Sequence, residues 1–158
     1  MKRYFALFLF LISLGDVNAE VVSSCDGRYL AADIVRGRIT IEKDGKNVGS
    51  VNVGHAIHGG VFSLDDSMLV VFGLPKKLDV NYPQVTHLSV LSLKSKIKII
   101  ERQVYGGGVY EVVFSADKKY IVVNNQFGVD VIDVEEKKSH SFDITYLPKF
   151  DVQHCHAR

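Results

Sequence analysis

The side chains best suited to chemistry in this sequence are histidines and cysteines, and their spacing decides what they could do. His55 and His58 form a His-x-x-His pair in a glycine-rich segment, and His154, Cys155 and His156 follow one another near the C-terminus. Imidazole and thiolate groups bind zinc, but a zinc site needs three or four ligands that converge in space. No Cys-x-x-Cys pair or recognisable carboxylate partner accompanies either group. The sequence therefore predicts no metal site and no cofactor.

The acids and serines show no catalytic pattern. Asp65 and Asp66 are adjacent at a predicted turn, where neighbouring side chains point apart, so they do not form an acid–base pair. Ser63 and Ser115 occupy equivalent positions of a repeat, and neither lies in a Gly-x-Ser-x-Gly elbow. The three glycines at 106–108 lack the lysine of a phosphate-binding loop. We expect a protein that is not an enzyme; the alternative is an enzyme whose catalytic residues converge from several loops.

The N-terminal residues have the pattern of a secretory signal peptide. Lys2 and Arg3 precede an apolar run at 5–14, and a small-residue cleavage site ends at Ala19. The run is too short to span a bilayer as a mature helix. The sequence therefore predicts a signal peptide at 1–19, cleaved after Ala19, and a single domain at 20–158. We expect an exported protein of the bacterial periplasm, without membrane insertion.

The charge of the remaining chain is balanced. Residues 1–19 carry two of the 19 basic and one of the 18 acidic side chains, which leaves 17 of each. Nucleic acids and anionic membranes favour partners with a basic excess. The composition therefore argues against both, and a nucleic-acid partner is not expected.

The two cysteines, Cys25 and Cys155, stand near opposite ends of the predicted domain. In an oxidising compartment, an even number of cysteines favours a disulfide over free thiols. A bridge across this separation would stabilise the fold by roughly 5 kcal/mol if loop entropy dominates. We expect a disulfide between Cys25 and Cys155; the alternative is two isolated thiols.

One sequence pattern occurs three times, at 23–33, 62–72 and 114–124. Each copy has a serine, an aspartate two residues later, a turn-prone pair, and then an apolar run. An aspartate in a tight turn accepts hydrogen bonds from backbone amides two residues ahead. The apolar run is typical of a strand that is buried on both faces.

Two further strand-like segments follow each copy, and no helical period is present in residues 20–158. The predicted strands lie at 38–42 and 48–53, at 87–92 and 96–103, and at 128–134 and 139–144. Each unit is therefore predicted to be a four-stranded antiparallel meander. The fold class is all-β, with three such meanders.

A meander of this length with a Ser-x-Asp turn resembles the blades of β-propeller repeat families, of both the WD and the YVTN type. No Trp-Asp dipeptide is present, because the chain contains no tryptophan. Three blades are fewer than propellers use, and residues 151–155 are similar to one more first strand. The resemblance implies an open or distorted β-propeller-like arc, with the disulfide fastening this segment beside the first blade. The alternative is a β-sandwich with accidental self-similarity.

The irregular residues concentrate at one end of the predicted sheets. In an antiparallel meander, the connections between strands two and three and between successive meanders share one end. These include an insert at 73–87 and the segments 54–60, 104–110 and 145–150. Pro75 and Pro83 stiffen the insert, which favours an ordered binding loop over a merely tolerated insertion.

Tyrosines with polar neighbours on stiff loops are typical of protein-binding surfaces, because they bury a large area at a small cost in entropy. For Tyr110, capping of the core is an equally supported role. The predicted partner-binding residues are Lys76, Lys77, Asp79, Asn81, Tyr82, Tyr105, Gly107, Tyr110, Asn125, Gln126 and Phe127.

The whole chain also resembles the periplasmic immunity proteins that accompany amidase effectors of type VI secretion. The resemblance lies in the size, the signal peptide and the β-propeller-like repeats. It implies an inhibitor that occludes the active site of a small peptidoglycan hydrolase, a cysteine amidase, with loops at 73–87 and 105–110. The alternative is an envelope scaffold or a glycan- or ligand-binding module.

Overall fold

Three antiparallel sheets make up the protein in a computed structural model that describes residues 20–35, 37–77 and 85–155. Each sheet is a meander of four consecutive strands, and we call the sheets blade one, blade two and blade three. Blade one contains β1 (Val21–Ser23), β2 (Tyr29–Val35), β3 (Arg38–Lys43) and β4 (Lys46–Asn52). Blade two contains β5 (Gly59–Phe62), β6 (Met68–Gly73), β7 (Thr86–Ser92) and β8 (Lys98–Tyr105). Blade three contains β9 (Val109–Phe114), β10 (Tyr120–Asn125), β11 (Gly128–Asp133) and β12 (Lys138–Phe142).

The predicted fold class is confirmed: the described chain is all-β, with three four-stranded antiparallel sheets, and a sandwich of two sheets is excluded. Each predicted third and fourth strand begins and ends within two residues of an observed strand. The predicted signal peptide lies outside the described residues. Within those residues, no helix has the length and apolar character needed to cross a membrane.

The blades stack face to face, and blade two lies in the middle. Leu69 and Val71 on one face of β6 belong to a core cluster shared with blade one. Met68, Val70 and Phe72 on its other face belong to a second cluster, shared with blade three. The prediction of an apolar run buried on both faces is therefore confirmed for β6. It is wrong for β2, where Leu30 is 36% exposed because, within the described residues, blade one packs against another sheet on one side only.

The same hydrogen-bonded turn joins the first two strands of every blade. In blade one, the Ser24 hydroxyl donates to Asp26 Oδ1 at 2.8 Å, and the Arg28 amide donates to the same oxygen at 3.0 Å. The Tyr29 amide donates in turn to Ser24 Oγ at 2.9 Å. Blades two and three repeat these bonds at Ser63, Asp65, Ser67 and Met68 and at Ser115, Asp117, Lys119 and Tyr120. The sequence repeat therefore encodes one turn, used three times.

One residue of each turn adopts a left-handed backbone conformation. These residues are Gly27, Asp66 and Lys118, with φ of 73°, 57° and 63°. The Lys118 ammonium group also forms an ion pair with Asp65, which connects the turns of blades two and three. Partial burial of Asp65 opposes ionisation, but hydrogen bonds from Lys118, Ser67 and Ser63 together hold the pKa of this carboxyl well below its usual range.

The C-terminal tail, residues 143–155, crosses these turns in the order blade three, blade two, blade one. The Ala116 amide donates to the Asp151 carbonyl at 2.7 Å, and the Gln153 amide donates to the Phe114 carbonyl at 2.8 Å. The Gln153 side-chain oxygen accepts from the Leu64 amide of blade two at 2.8 Å.

The predicted disulfide is confirmed, since Cys155 is bonded to Cys25 of blade one with a Cα–Cα distance of 5.4 Å. The segment at 151–155 is not an additional first strand, however. It forms a single bridge, between Val152 and Ser115 of blade three, and is linked to blade one by the disulfide.

The tail also covers the outer face of blade three. The Tyr146 ring stacks on Phe142 with 3.9 Å between centroids, and the Phe150 ring stacks on Tyr120 at 5.1 Å. Val122, Val129 and Val131 are buried on this face although neither core cluster includes them. The tail therefore occupies the side of blade three on which a propeller would place its next blade.

Candidate partner-binding face

The described parts of the connections at one end of the sheets lie close to one another, and we call this surface the loop face. It contains the connections between strands two and three of each blade and those between successive blades. Backbone hydrogen bonds join them, from the Val53 amide to the Gly37 carbonyl at 2.9 Å and from the Lys76 amide to the Gly54 carbonyl at 3.0 Å. In blade three, the Gln126 amide donates to the Gly108 carbonyl at 2.9 Å. The prediction that these connections share one face is confirmed for them. It is wrong for residues 145–150, because they belong to the tail, where Tyr146 and Phe150 stack on the outer face of blade three.

The insert at 73–87 is anchored at its base to the connection between blades one and two. The Ala56 amide donates to the Leu74 carbonyl at 2.9 Å, and His55 and Pro75 form an isolated bridge. A Cβ atom at Gly73 would lie 2.1 Å from the Ala56 carbonyl oxygen, so this approach requires glycine. Lys76 and Lys77 are exposed on the loop face. The predicted partner-binding residues Asp79, Asn81 and Tyr82 lie outside the described residues.

A second part of the loop face, which we call the glycine-loop patch, consists of residues 106–108 with Tyr110, Gln126 and Phe127. A Cβ atom added at Gly106 would lie 3.6 Å from the Phe127 ring, and one added at Gly108 would lie 3.3 Å from the Tyr110 ring. Between them, a Cβ on Gly107 would lie 2.3 Å from Gln126 Oε1. The glycines therefore bring the backbone directly against these three side chains.

The two aromatic side chains of the patch are largely exposed, with 68% of Tyr110 and 73% of Phe127 accessible. Gln126 is exposed beside them. Tyr110 therefore does not cap the core, which was its alternative role. The two aromatic rings lie around the side-chain amide of Gln126 and an accessible stretch of backbone. This combination is suited to binding a protein partner.

Two of the predicted binding residues, Tyr105 and Asn125, are buried, and the expectation that they are exposed is wrong. Asn125 Oδ1 accepts a hydrogen bond from the Phe127 amide at 2.9 Å, which holds the backbone beneath the exposed ring. The Tyr105 hydroxyl is buried without a hydrogen-bond partner among the described residues. Its burial, together with the nearby Asp130 carboxylate, raises the pKa of this hydroxyl. Both residues support the glycine-loop patch from below.

A cavity of about 350 Å³ opens between the insert and the glycine loop. Its walls combine exposed polar groups with buried apolar side chains. They are formed by His58, Phe72, Leu74, Thr86, residues 106–108, Val109 and Gln126. The structure therefore brings the base of the insert and the glycine loop to one concave site, although they are far apart in the sequence.

His55 and Ser89 form a buried pair that the sequence patterns did not indicate. His55 Nε2 lies 2.9 Å from Ser89 Oγ, and His55 Nδ1 lies 2.8 Å from the Ala56 carbonyl oxygen. Both residues are 1% exposed, so the serine is inaccessible as a nucleophile and the pair is structural. Burial lowers the pKa of His55, and the nearby His87 adds to this effect. Ser89 comes from β7, and no local spacing links it to His55.

The described histidines and cysteines that were considered as metal ligands do not converge on one site, and His156 lies outside the described residues. His55 is buried against Ser89, His58 is exposed, and Cys155 is in the disulfide. In the described ranges 20–35, 37–77 and 85–155, no group of three or more histidine, cysteine, aspartate or glutamate residues could hold a metal ion.

The arrangement of blades is similar to that of a solved β-propeller. The β-propeller domain of Cps50 (Swd1) from Myceliophteria thermophila matches this chain with a TM-score of 0.57 and 12% sequence identity, over 80% of this chain and 40% of that chain. The match thus spans less than two thirds of the propeller, and at this identity it concerns the fold alone. No protein-family model matches the sequence, and no curated protein matches it either. The fold defines an all-β protein of three β-propeller-like blades.

Proposed function

We propose that the protein is a periplasmic immunity protein that binds a peptidoglycan amidase toxin and inhibits it by occluding its active site. The observation that carries the proposal is the glycine-loop patch, where Tyr110 and Phe127 are exposed on a backbone fixed by hydrogen bonds. Rigid aromatic side chains lose little entropy on binding, and such residues dominate the energy of protein interfaces.

The loop face provides the groups that occlusion requires. The patch can enter a substrate groove, with the two rings filling apolar subsites. The side-chain amide of Gln126 and the backbone of 106–108 can form hydrogen bonds with the Cys–His pair of a hydrolase. In this proposal the protein acts as a binder and catalyses no reaction. The disulfide supports it, because disulfides persist in oxidising compartments such as the periplasm.

The test first asks whether a gene beside this one encodes a small cysteine peptidoglycan amidase, and then combines that enzyme with residues 20–158. Calorimetry measures the affinity, and the release of peptidoglycan fragments measures the inhibition. We expect a one-to-one complex without amidase activity. Tyr110→Ala/Phe127→Ala should raise the Kd by about 100-fold, because two central aromatic contacts are lost.

The matched control is Leu64→Ala, which removes a side chain that is 49% exposed in a turn at the opposite end of blade two. It should leave the Kd within about twofold of the unchanged protein, as expected away from the interface. Replacement of 76–82 by a short Gly-Ser linker should preserve folding and abolish binding. If the double variant inhibits as well as the unchanged protein, the loop face is not the inhibitory surface.

The cavity beside the patch favours one alternative, a glycan- or ligand-binding module of the cell envelope. Sites for small ligands are concave and combine apolar and polar groups, and this cavity combines Phe72, Leu74 and Val109 with the more extensive polar surface of its other walls. Titration with soluble peptidoglycan fragments distinguishes the two functions. Binding of the fragments without binding of the amidase would support the alternative.

A further inference from the structure

The outer face of blade one carries an exposed apolar surface that the proposed function does not use. Val21 of β1 is 51% exposed, and Leu30 of β2 is 36% exposed, on the side opposite blade two. Their neighbours on the inner side, Val22 and Ala31, are buried in the core shared with blade two. In a stack of blades, this outer face is where another sheet would pack.

A β-bulge enlarges this surface. The pairing of β2 with β3 shifts between Asp33 and Val35, so that Ile34 and Val35 together oppose Arg38. A bulge of this kind turns two successive side chains toward the same side of the sheet. Both apolar side chains consequently face outward, with Ile34 65% and Val35 59% exposed. The Gly37 amide donates to Asp33 Oδ1 at 3.0 Å and fixes the end of the bulge.

The charges on this face favour a second copy of the same chain. Ile39 and Ile41 point into the core, so the alternate residues Arg38, Thr40 and Glu42 of β3 point outward. Within the described part of the chain, neither Arg38 nor Glu42 forms an ion pair. A two-fold axis near Thr40 would place Arg38 of each copy beside Glu42 of the other. Such self-complementarity is what a symmetric dimer requires.

The tail determines which symmetry is available. Head-to-tail stacking would place blade one of one copy on blade three of the next, but the tail already covers the outer face of blade three. Among residues 20–35, 37–77 and 85–155, none covers the outer face of blade one in the way that the tail covers blade three. Association through this single face joins two copies and then stops.

We propose that the outer face of blade one is a homodimer interface, in which the sheets of two copies pack face to face about a two-fold axis. Val21, Leu30, Ile34 and Val35 form its apolar centre, and reciprocal pairs of Arg38 and Glu42 form its edge. The interface is remote in sequence from the glycine-loop patch, and it does not depend on the proposed function.

The experiment is sedimentation velocity on residues 20–158 under oxidising conditions, from 1 to about 200 μM protein. We expect a monomer–dimer equilibrium with no larger species. Ile34→Glu should raise the dimer Kd by at least about tenfold, because it places a carboxylate in the apolar centre. The matched control is Val104→Glu on blade two, where the side chain is 60% exposed, and it should leave the Kd unchanged.

A charge exchange tests the proposed symmetry. Arg38→Glu should raise the dimer Kd several-fold, because it opposes two carboxylates, and Arg38→Glu/Glu42→Arg should restore it. A protein that remains monomeric at every concentration overturns the proposal. A dimer that persists in Ile34→Glu also overturns it, since association then uses another surface. Circular dichroism confirms that each variant remains folded.

Discussion

The outer faces of blade one and blade three have the same place at the two ends of the stack but differ in what lies on them. Blade three is covered by residues 143–155, and Val122, Val129 and Val131 are buried there. On blade one, Val21, Ile34 and Val35 remain more than half exposed. A stack that does not close into a ring has two such faces, and each needs a cap or a partner. In the part of the chain that the structure describes, a cap is present for one of them.

The tail both covers blade three and carries Cys155, which forms the disulfide with blade one. The tail begins beside blade three, passes the turn of blade two at Leu64, and ends at Cys25 of blade one. It thereby connects the two ends of the stack, as the pairing of the first and last strands does in a closed propeller. Loosening the tail should therefore affect blade three most directly and blade one through the disulfide.

The largest expected effect comes from removing the disulfide. Cys25→Ser/Cys155→Ser should lower the free energy of unfolding by about 2–5 kcal/mol, because the unfolded chain regains the freedom of a loop of about 130 residues. Urea denaturation of the oxidised protein and of the double variant measures the difference. The single variant Cys155→Ser should behave like the double variant. A change below about 1 kcal/mol would contradict a role of the disulfide in holding the tail.

An intermediate effect tests whether the tail acts as the cap. Phe150→Ala should destabilise the protein by about 1–3 kcal/mol, less than a fully buried phenylalanine would, because it leaves Tyr120 and the valines beneath it partly uncovered. Ile34→Ala on the outer face of blade one should cost less than about 0.5 kcal/mol in the monomer. Thermal unfolding at low micromolar protein concentration measures the loss of stability in Phe150→Ala and in Ile34→Ala.

Leu147→Ala is the control within the tail itself, since this side chain is 81% exposed. Its cost should be as small as that of Ile34→Ala. Equal costs for Phe150→Ala and Leu147→Ala would show that the tail lies on blade three without stabilising it.

The smallest effect concerns pH and the junction of blades one and two. The pKa of His55 is lowered below its ordinary value of about 6.5 by burial, so the unfolded chain binds this proton more readily. The contribution of neutral His55 to the free energy of unfolding is fully present above about pH 6.5. It decreases by at most about 1.4 kcal/mol per pH unit as the pH falls toward the pKa of His55 in the folded protein.

Amide hydrogen exchange between pH 7.5 and 5 locates this loss. We expect amides of blade one to lose protection before those of blade three. His58→Gln, at an exposed histidine of the same connection, should retain this acid-dependent loss, whereas His55→Gln should reduce it. Uniform loss of protection in all three blades would indicate a different titrating group.

The fold could be predicted because its determinants are local. The Ser-x-Asp turn depends on residues within six positions of one another, as at Ser63 to Met68, and the sequence contains it three times. The burial of β6 on both faces was likewise evident from its apolar run. The disulfide followed from the number of cysteines and the expected compartment, without knowledge of the fold.

The site was only partly predictable, because exposure depends on contacts between blades. Tyr105 and Phe127 are both aromatic residues next to glycines, yet one is 7% and the other 73% exposed. The burial of Asn125 depends on the turn that it makes with Phe127. The position of the tail over blade three was also not predicted. Aromatic residues spaced like Tyr146 and Phe150 do not follow the two-residue period of a strand, so the sequence pattern gave no indication of it.

The separation of the two cysteines has a consequence for the order of assembly. Each blade is a meander of adjacent strands, so its pairing can form as soon as its own residues have been synthesised. Cys25 belongs to the first turn of the domain, but its partner lies 130 residues later. Because the sequence has two cysteines, Cys25 has no partner for an intramolecular disulfide until Cys155 has been synthesised. The three blades can therefore pair their strands before the covalent link between the ends of the stack can form.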